Sequence, residues 1–132
     1  MNDTSSRLQE DTLLFFSGHL AVYPLYEALL SQVLRRYPQT RIKVQKTQIS
    51  FSDRYMFACV SFLRPKRKAE LPENYFVLTL GLPGPLASER VAAKTEAYPG
   101  RWTTHIVVSR ESDLDDELFA WLEQAHEFAR RK

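Results

Sequence analysis

A chain of 132 residues, 44% hydrophobic and 26% charged with a formal net charge of +2, is long enough for one domain with its own core and ordinary for a globular protein. These values exclude a low-complexity or linker chain, and apolar runs of a few residues fall far short of the roughly 20 needed to cross a bilayer. The single cysteine, Cys59, has no internal disulfide partner, and MNDTSSRLQED lacks a basic, apolar leader, so a reducing, cytoplasmic location is expected.

Residues 1–10 are polar and read as a frayed start to a single α+β domain over 11–131. In DTLLFFSG, Asp11 offers an N-cap and Gly18 a stop. Val22, Leu25, Tyr26, Leu29, Leu30, Val33, Leu34 and Tyr37 then recur at helical spacing as one apolar stripe. Pro24 fits only the first turn of that helix, so it starts near Ala21, and Pro38 ends it.

Strand-like runs follow. In RIKVQKTQISF, Ile42 and Val44 share one parity while Ile49 and Phe51 share the other, which predicts a bulge or kink near Lys46 and Thr47. YMFACVSFL is apolar on both parities, as a central strand is. YFVLTLGL sets Phe76, Leu78, Leu80 and Leu82 against Tyr75, Val77 and Thr79. Two further strands meet at Pro99-Gly100, a pair that suits a type II turn because its second position needs positive φ. A last helix from about Asp113 to Arg130 has Ser112 as its expected cap and Leu114, Leu118, Trp121, Leu122, Ala125 and Ala129 as its buried stripe. The order predicts an antiparallel meander of four to five strands with N-terminal and C-terminal helices packed on one face.

That arrangement directs Trp102, Ile106 and Val108 towards the helices and Arg101, Thr103 and His105 to the opposite, uncovered face. Thr79 joins them, as do Lys46, Thr47 and Gln48 where the bulge permits. Two cations, an imidazole and several hydroxyl and amide groups suit a small anion or polar metabolite, with Arg101 as a bidentate clamp and Lys46 as a point charge. A solvated sheet face with polar cross-strand pairs is the plainer alternative.

Catalytic signals are weaker. His105 is the candidate general base, but no motif places a Ser or Cys beside it. Cys59 reads as a small core residue, His126 as an exposed or capping histidine, and His19 as a loop residue without a signal. No metal spacing, Walker loop or Rossmann fingerprint is present, so no cofactor is implied. RPKRKAELPEN offers Arg64, Lys66, Arg67 and Lys68 to phosphates, with Tyr55 and Tyr75 as stacking platforms, but a pI of 8.8 is modest for a nucleic-acid binder. Basic residues crowd Arg35 to Lys68, and acids crowd Glu111 to Glu127.

LFFSGH, VQKTQISF, FVLTLGLP, YPGRWTTHIVV and the DLDDELFAWL helix together resemble a bacterial family, the domain of unknown function numbered 5655, from about Leu13 to Phe128. The resemblance implies that the Lys46-Thr47-Gln48 block and the Tyr98 to His105 block belong to the family's shared pattern. It implies no activity, since members are uncharacterised. The leading expectation is therefore a module that binds a small anionic or polar ligand through Lys46, Thr47, Gln48, Arg101, Thr103 and His105. The alternatives are an acid–base enzyme using His105, a nucleic-acid-associated module using Arg64 to Lys68, and a protein-interaction module or homodimer formed through the sheet edge.

Overall fold

The computed structural model describes residues 3–131. Its first helix, α1 (Asp3–Phe15), runs through the stretch expected to fray, so Asp11 lies inside the helix and caps nothing. Turn residues then carry the chain past Gly18, and a short 3₁₀ turn over Leu20–Val22 leads into α2 (Tyr23–Arg36). Pro24 sits in the first turn of α2, where its missing N–H has no helical partner to lose, and Tyr26, Leu29 and Val33 form the buried stripe.

The sheet has six strands, β1 (Arg41–Val44), β2 (Gln48–Ser52), β3 (Met56–Ser61), β4 (Phe76–Leu82), β5 (Val91–Tyr98) and β6 (Arg101–Val108), in the order β1-β2-β3-β4-β6-β5. All neighbours are antiparallel. This is one strand more than the four to five expected, and the extra one comes from the parity conflict around Lys46. The chain does not kink there; it reverses. Gln45 N–H donates to Gln48 O at 2.8 Å, closing a hairpin with Lys46 and Thr47 at its tip. Ile42 then faces Phe51 and Val44 faces Ile49, so both apolar pairs reach the same side of the sheet. The simple meander also gives way at the far side, where β6 lies between β4 and β5. Gly100, at φ 82°, turns β5 into β6 as the Pro-Gly pair requires.

A bulge does occur, one strand further on. Phe51 pairs with Ala58 and Ser52 with Met56, leaving Phe57 as the extra residue of β3. Released from strict alternation, Phe57 is buried against Tyr37 and His126.

The last helix, α3 (Asp116–Arg130), starts later than Asp113. A 3₁₀ turn over Glu111–Asp113 precedes it, and its cap is Asp115, not Ser112. The Asp115 carboxylate accepts from Leu118 N–H at 3.0 Å. Arg90 holds the same end: its guanidinium reaches Asp115 at 2.8 Å and Glu117 at 3.0 Å, donates to Asp113 O, and lies over the Trp121 ring. These bonds hold the Asp115 carboxyl below the usual carboxylate range.

Helices α2 and α3 supply the partners for one sheet face, where Ile49, Phe51, Val60, Leu78, Leu80 and Ile106 are fully buried in a single core. His126 belongs to this core. It stacks on Tyr37 with ring centroids 4.0 Å apart, correcting the expectation of an exposed helix-end residue. Its Nε2 lies 3.4 Å from Asp53 Oδ2, outside hydrogen-bonding alignment.

Candidate ligand site on the open sheet face

Alternation leaves the other face to a second set of side chains. The cross-strand rows are Gln48, Ser61, Val77 and Val107; then Ser50, Cys59, Thr79 and His105; then Gly81 and Thr103. Over these rows lies a cavity of about 830 Å³. Every residue picked out from the sequence lines it: Lys46, Thr47, Gln48, Arg101, Thr103 and His105. Lys46 and Thr47 arrive from the hairpin tip, and the other four from β2 and β6.

The floor is polar. Thr79 Oγ1 lies 2.8 Å from His105 Nδ1, tying β4 to β6 across their register. Burial pushes the His105 pKa below its ordinary value, so its ring is neutral near pH 7. Cys59 is the next residue in that row, and burial pushes its thiol up, with the Thr79 hydroxyl pulling weakly the other way. Gln48 Nε2 donates to Ser50 Oγ at 3.1 Å, and Ser50 Oγ donates to Gln45 Oε1 at 3.0 Å, which fixes the inner side of the hairpin.

Two features distinguish the cavity lining. Ser61 is only 6% exposed, lines the cavity, and its Oγ has no hydrogen-bond partner. A buried hydroxyl left without a partner costs about 1–3 kcal/mol, and this one lies beneath the cavity surface with essentially no accessible area of its own. Arg101 reaches sideways over β4: a Cβ at Gly81 would lie 2.7 Å from both of its terminal nitrogens. Only glycine lets the guanidinium lie this close to the strand. Among the described residues neither Arg101 nor Lys46 has a carboxylate within ion-pair distance, and no Asp or Glu lines the cavity.

The walls are apolar. Phe15 from the end of α1, Phe62 and Leu63 beyond β3, and Met56 all line the cavity. His19, which carried no signal in the sequence, stacks on Phe62 with centroids 3.7 Å apart, and Phe62 stacks on Phe15 at 5.0 Å. This wall explains why Cys59 and Ser61 are buried on a face that neither α2 nor α3 serves. The hint was present in the apolar content of the segment from Tyr55 to Leu63 on both parities, but the residues that cover it come from distant turns.

The basic loop lies elsewhere. Arg64, Lys66, Arg67 and Lys68 are exposed, none lines the cavity, and Arg67 pairs with Glu70 at 3.3 Å. Tyr75 is tied back through a hydrogen bond from its hydroxyl to Leu63 O at 3.1 Å. No helix among the described residues is long and apolar enough to cross a membrane.

Fold and cavity define a class, an antiparallel α+β domain with helices on one sheet face and a recessed, cationic cavity on the other. Within that class the chain belongs to the family described as a domain of unknown function (DUF5655), whose model matches residues 14–129. No curated protein and no solved structure matches it.

Proposed function

We propose that this domain binds a small anionic or polar ligand in the cavity of the open sheet face, in contact with Lys46, Thr47, Gln48, Arg101, Thr103 and His105. The observation that carries this reading is the cavity's charge: two unpaired cations with no acid among the lining residues. Most described arginines have no carboxylate partner either, so what carries the reading is the gathering of both cations around one recess without acids. Arg101, supported over Gly81, supplies the forked donors, with less rotamer freedom left to lose on binding. His105 is neutral and shares a hydrogen bond with Thr79 through Nδ1, which leaves Nε2 as the ring nitrogen free to meet a ligand.

The second reading, an acid–base enzyme with His105 as base, draws on the Cys59-Thr79-His105 row. Burial disfavours a thiolate at Cys59, so no activated nucleophile stands beside His105, whose neutral ring is the form a general base needs. Binding is the better supported of the two. The free, buried thiol also supports a reducing, cytoplasmic setting.

A thermal-shift screen against nucleotides, phosphates and carboxylate metabolites, repeated with Arg101→Ala, tests the proposal. A ligand at about a hundred times its dissociation constant should stabilise the protein by about 2.7 kcal/mol, a shift of several degrees. A hit that survives Arg101→Ala unchanged would place the ligand elsewhere.

A further inference from the structure

The two cavity cations enter from opposite ends of the sheet face. Lys46 stands at the hairpin tip beside Gln48, whose cross-strand row runs through Ser61 and Val77 to Val107. Arg101 begins β6, six residues before Val107. Its guanidinium is folded inward over Gly81, which pairs with Thr103, four residues from Val107. At about 3.4 Å per residue and about 4.8 Å per strand, that is about 14 Å along the strands and about 10 Å across from β4 to β2. The guanidinium therefore lies about 17 Å from the Gln48 backbone, and a lysine reaching inward by about 6 Å leaves a gap of about 10–15 Å.

Between the two charges the surroundings change character. Phe15, Met56, Phe62 and Leu63 give apolar walls, while neutral His105 offers an isolated hydrogen-bonding group. A compact monoanion can engage one cation and leaves the other unneutralised. A ligand that satisfies both must be long.

We propose that the ligand is an elongated dianion, with two anionic oxygen groups about 10–15 Å apart joined by a largely apolar body, one end clamped by Arg101 and the other by Lys46. This rests on the anion-binding reading above and adds to it a second charged end and a length. Carboxylate and phosphate ends share the required chemistry.

Isothermal titration calorimetry of the purified chain tests this with α,ω-dicarboxylates of increasing length, matched monocarboxylates and α,ω-bisphosphates. Affinity should peak where the carboxylates are about 10–15 Å apart, near nine to thirteen carbons, and exceed that of the matched monocarboxylate by about tenfold or more. Arg101→Gln and Lys46→Gln should each erase that advantage, and Lys46→Arg should keep it; thermal melts of all three report whether they fold. Bisphosphates binding more tightly than dicarboxylates would support the two-ended site and identify its head group. Monocarboxylates binding as tightly as dicarboxylates, or affinity indifferent to length, would overturn the dianion and leave the anion site standing. Failure of every anion to bind would overturn both.

Discussion

The two faces of one sheet are built from the same strands and do different work. On the covered face of β4, Phe76, Leu78, Leu80 and Leu82 meet the core and are essentially without solvent contact. One residue away on the same strand, Thr79 and Gly81 face a cavity, where a hydroxyl holds an imidazole and a missing side chain makes room for a guanidinium. The first face is closed over by the chain itself, with Tyr26 Oη, Thr104 Oγ1 and His126 Nε2 left as unpartnered polar atoms in the core. The second keeps two cations and a buried hydroxyl without partners. What sets the second face apart is its charge, two cations around a recess that no Asp or Glu lines.

This contrast can be broken by substitution. Leu80→Ala should cost about 2–5 kcal/mol in urea denaturation, since a fully buried leucine leaves a cavity behind. Thr79→Val on the opposite face should cost far less, and equal losses would refute the division of labour. Arg90→Ala should cost about 1–2 kcal/mol by the same measurement, because a mostly buried guanidinium serves the start of α3 while its carboxylate partners remain partly solvated. It should leave ligand affinity untouched.

Gly81→Ala sharpens the comparison. Alanine gains a little backbone stability in a strand, and its Cβ displaces the flexible end of Arg101, so net stability should change by less than about 1 kcal/mol. The ligand-induced thermal shift should nevertheless fall towards that of Arg101→Ala. Smallest of all is a pH effect. His105 has a folded-state pKa below its ordinary 6.5, so the folded form resists a proton that the unfolded chain accepts. Its contribution to stability is present above 6.5 and is lost as pH falls from there through the lowered value. His105→Asn should therefore flatten the pH dependence of the unfolding midpoint in that window and leave the carboxylate region below it unchanged.

Much of this was legible before the structure, because period-two alternation is strong physics. The parity of Arg101, Thr103 and His105 against Trp102, Ile106 and Val108 assigned both faces of β6, and the Pro99-Gly100 turn declared itself through its need for positive φ. Lys46-Thr47 was harder. The parity conflict announced an irregularity, but a hairpin tip without Gly or Asn carries no local turn signal, and among the described residues none other than glycine has positive φ. His126 and His19 were missed for another reason: each is fixed by an aromatic partner far away in the chain, Tyr37 for one and Phe62 for the other. The capping role passed from Ser112 to Asp115 because a 3₁₀ turn intervened and Arg90 rewarded the later start. Ser61 had no signal of its own, since its burial depends on Phe15, His19 and Phe62 forming a wall.

The most direct test of the central claim is an amide chemical-shift map of the ¹⁵N-labelled protein titrated with a dicarboxylate of about eleven carbons, the length that spans the gap of about 10–15 Å. Saturable shifts at Gln48, Ser61, Thr79, Gly81, Thr103 and His105, with α3 unmoved, are the predicted result. Shifts confined to the Arg64 to Lys68 loop, or none on the open face at saturating concentration, would contradict it.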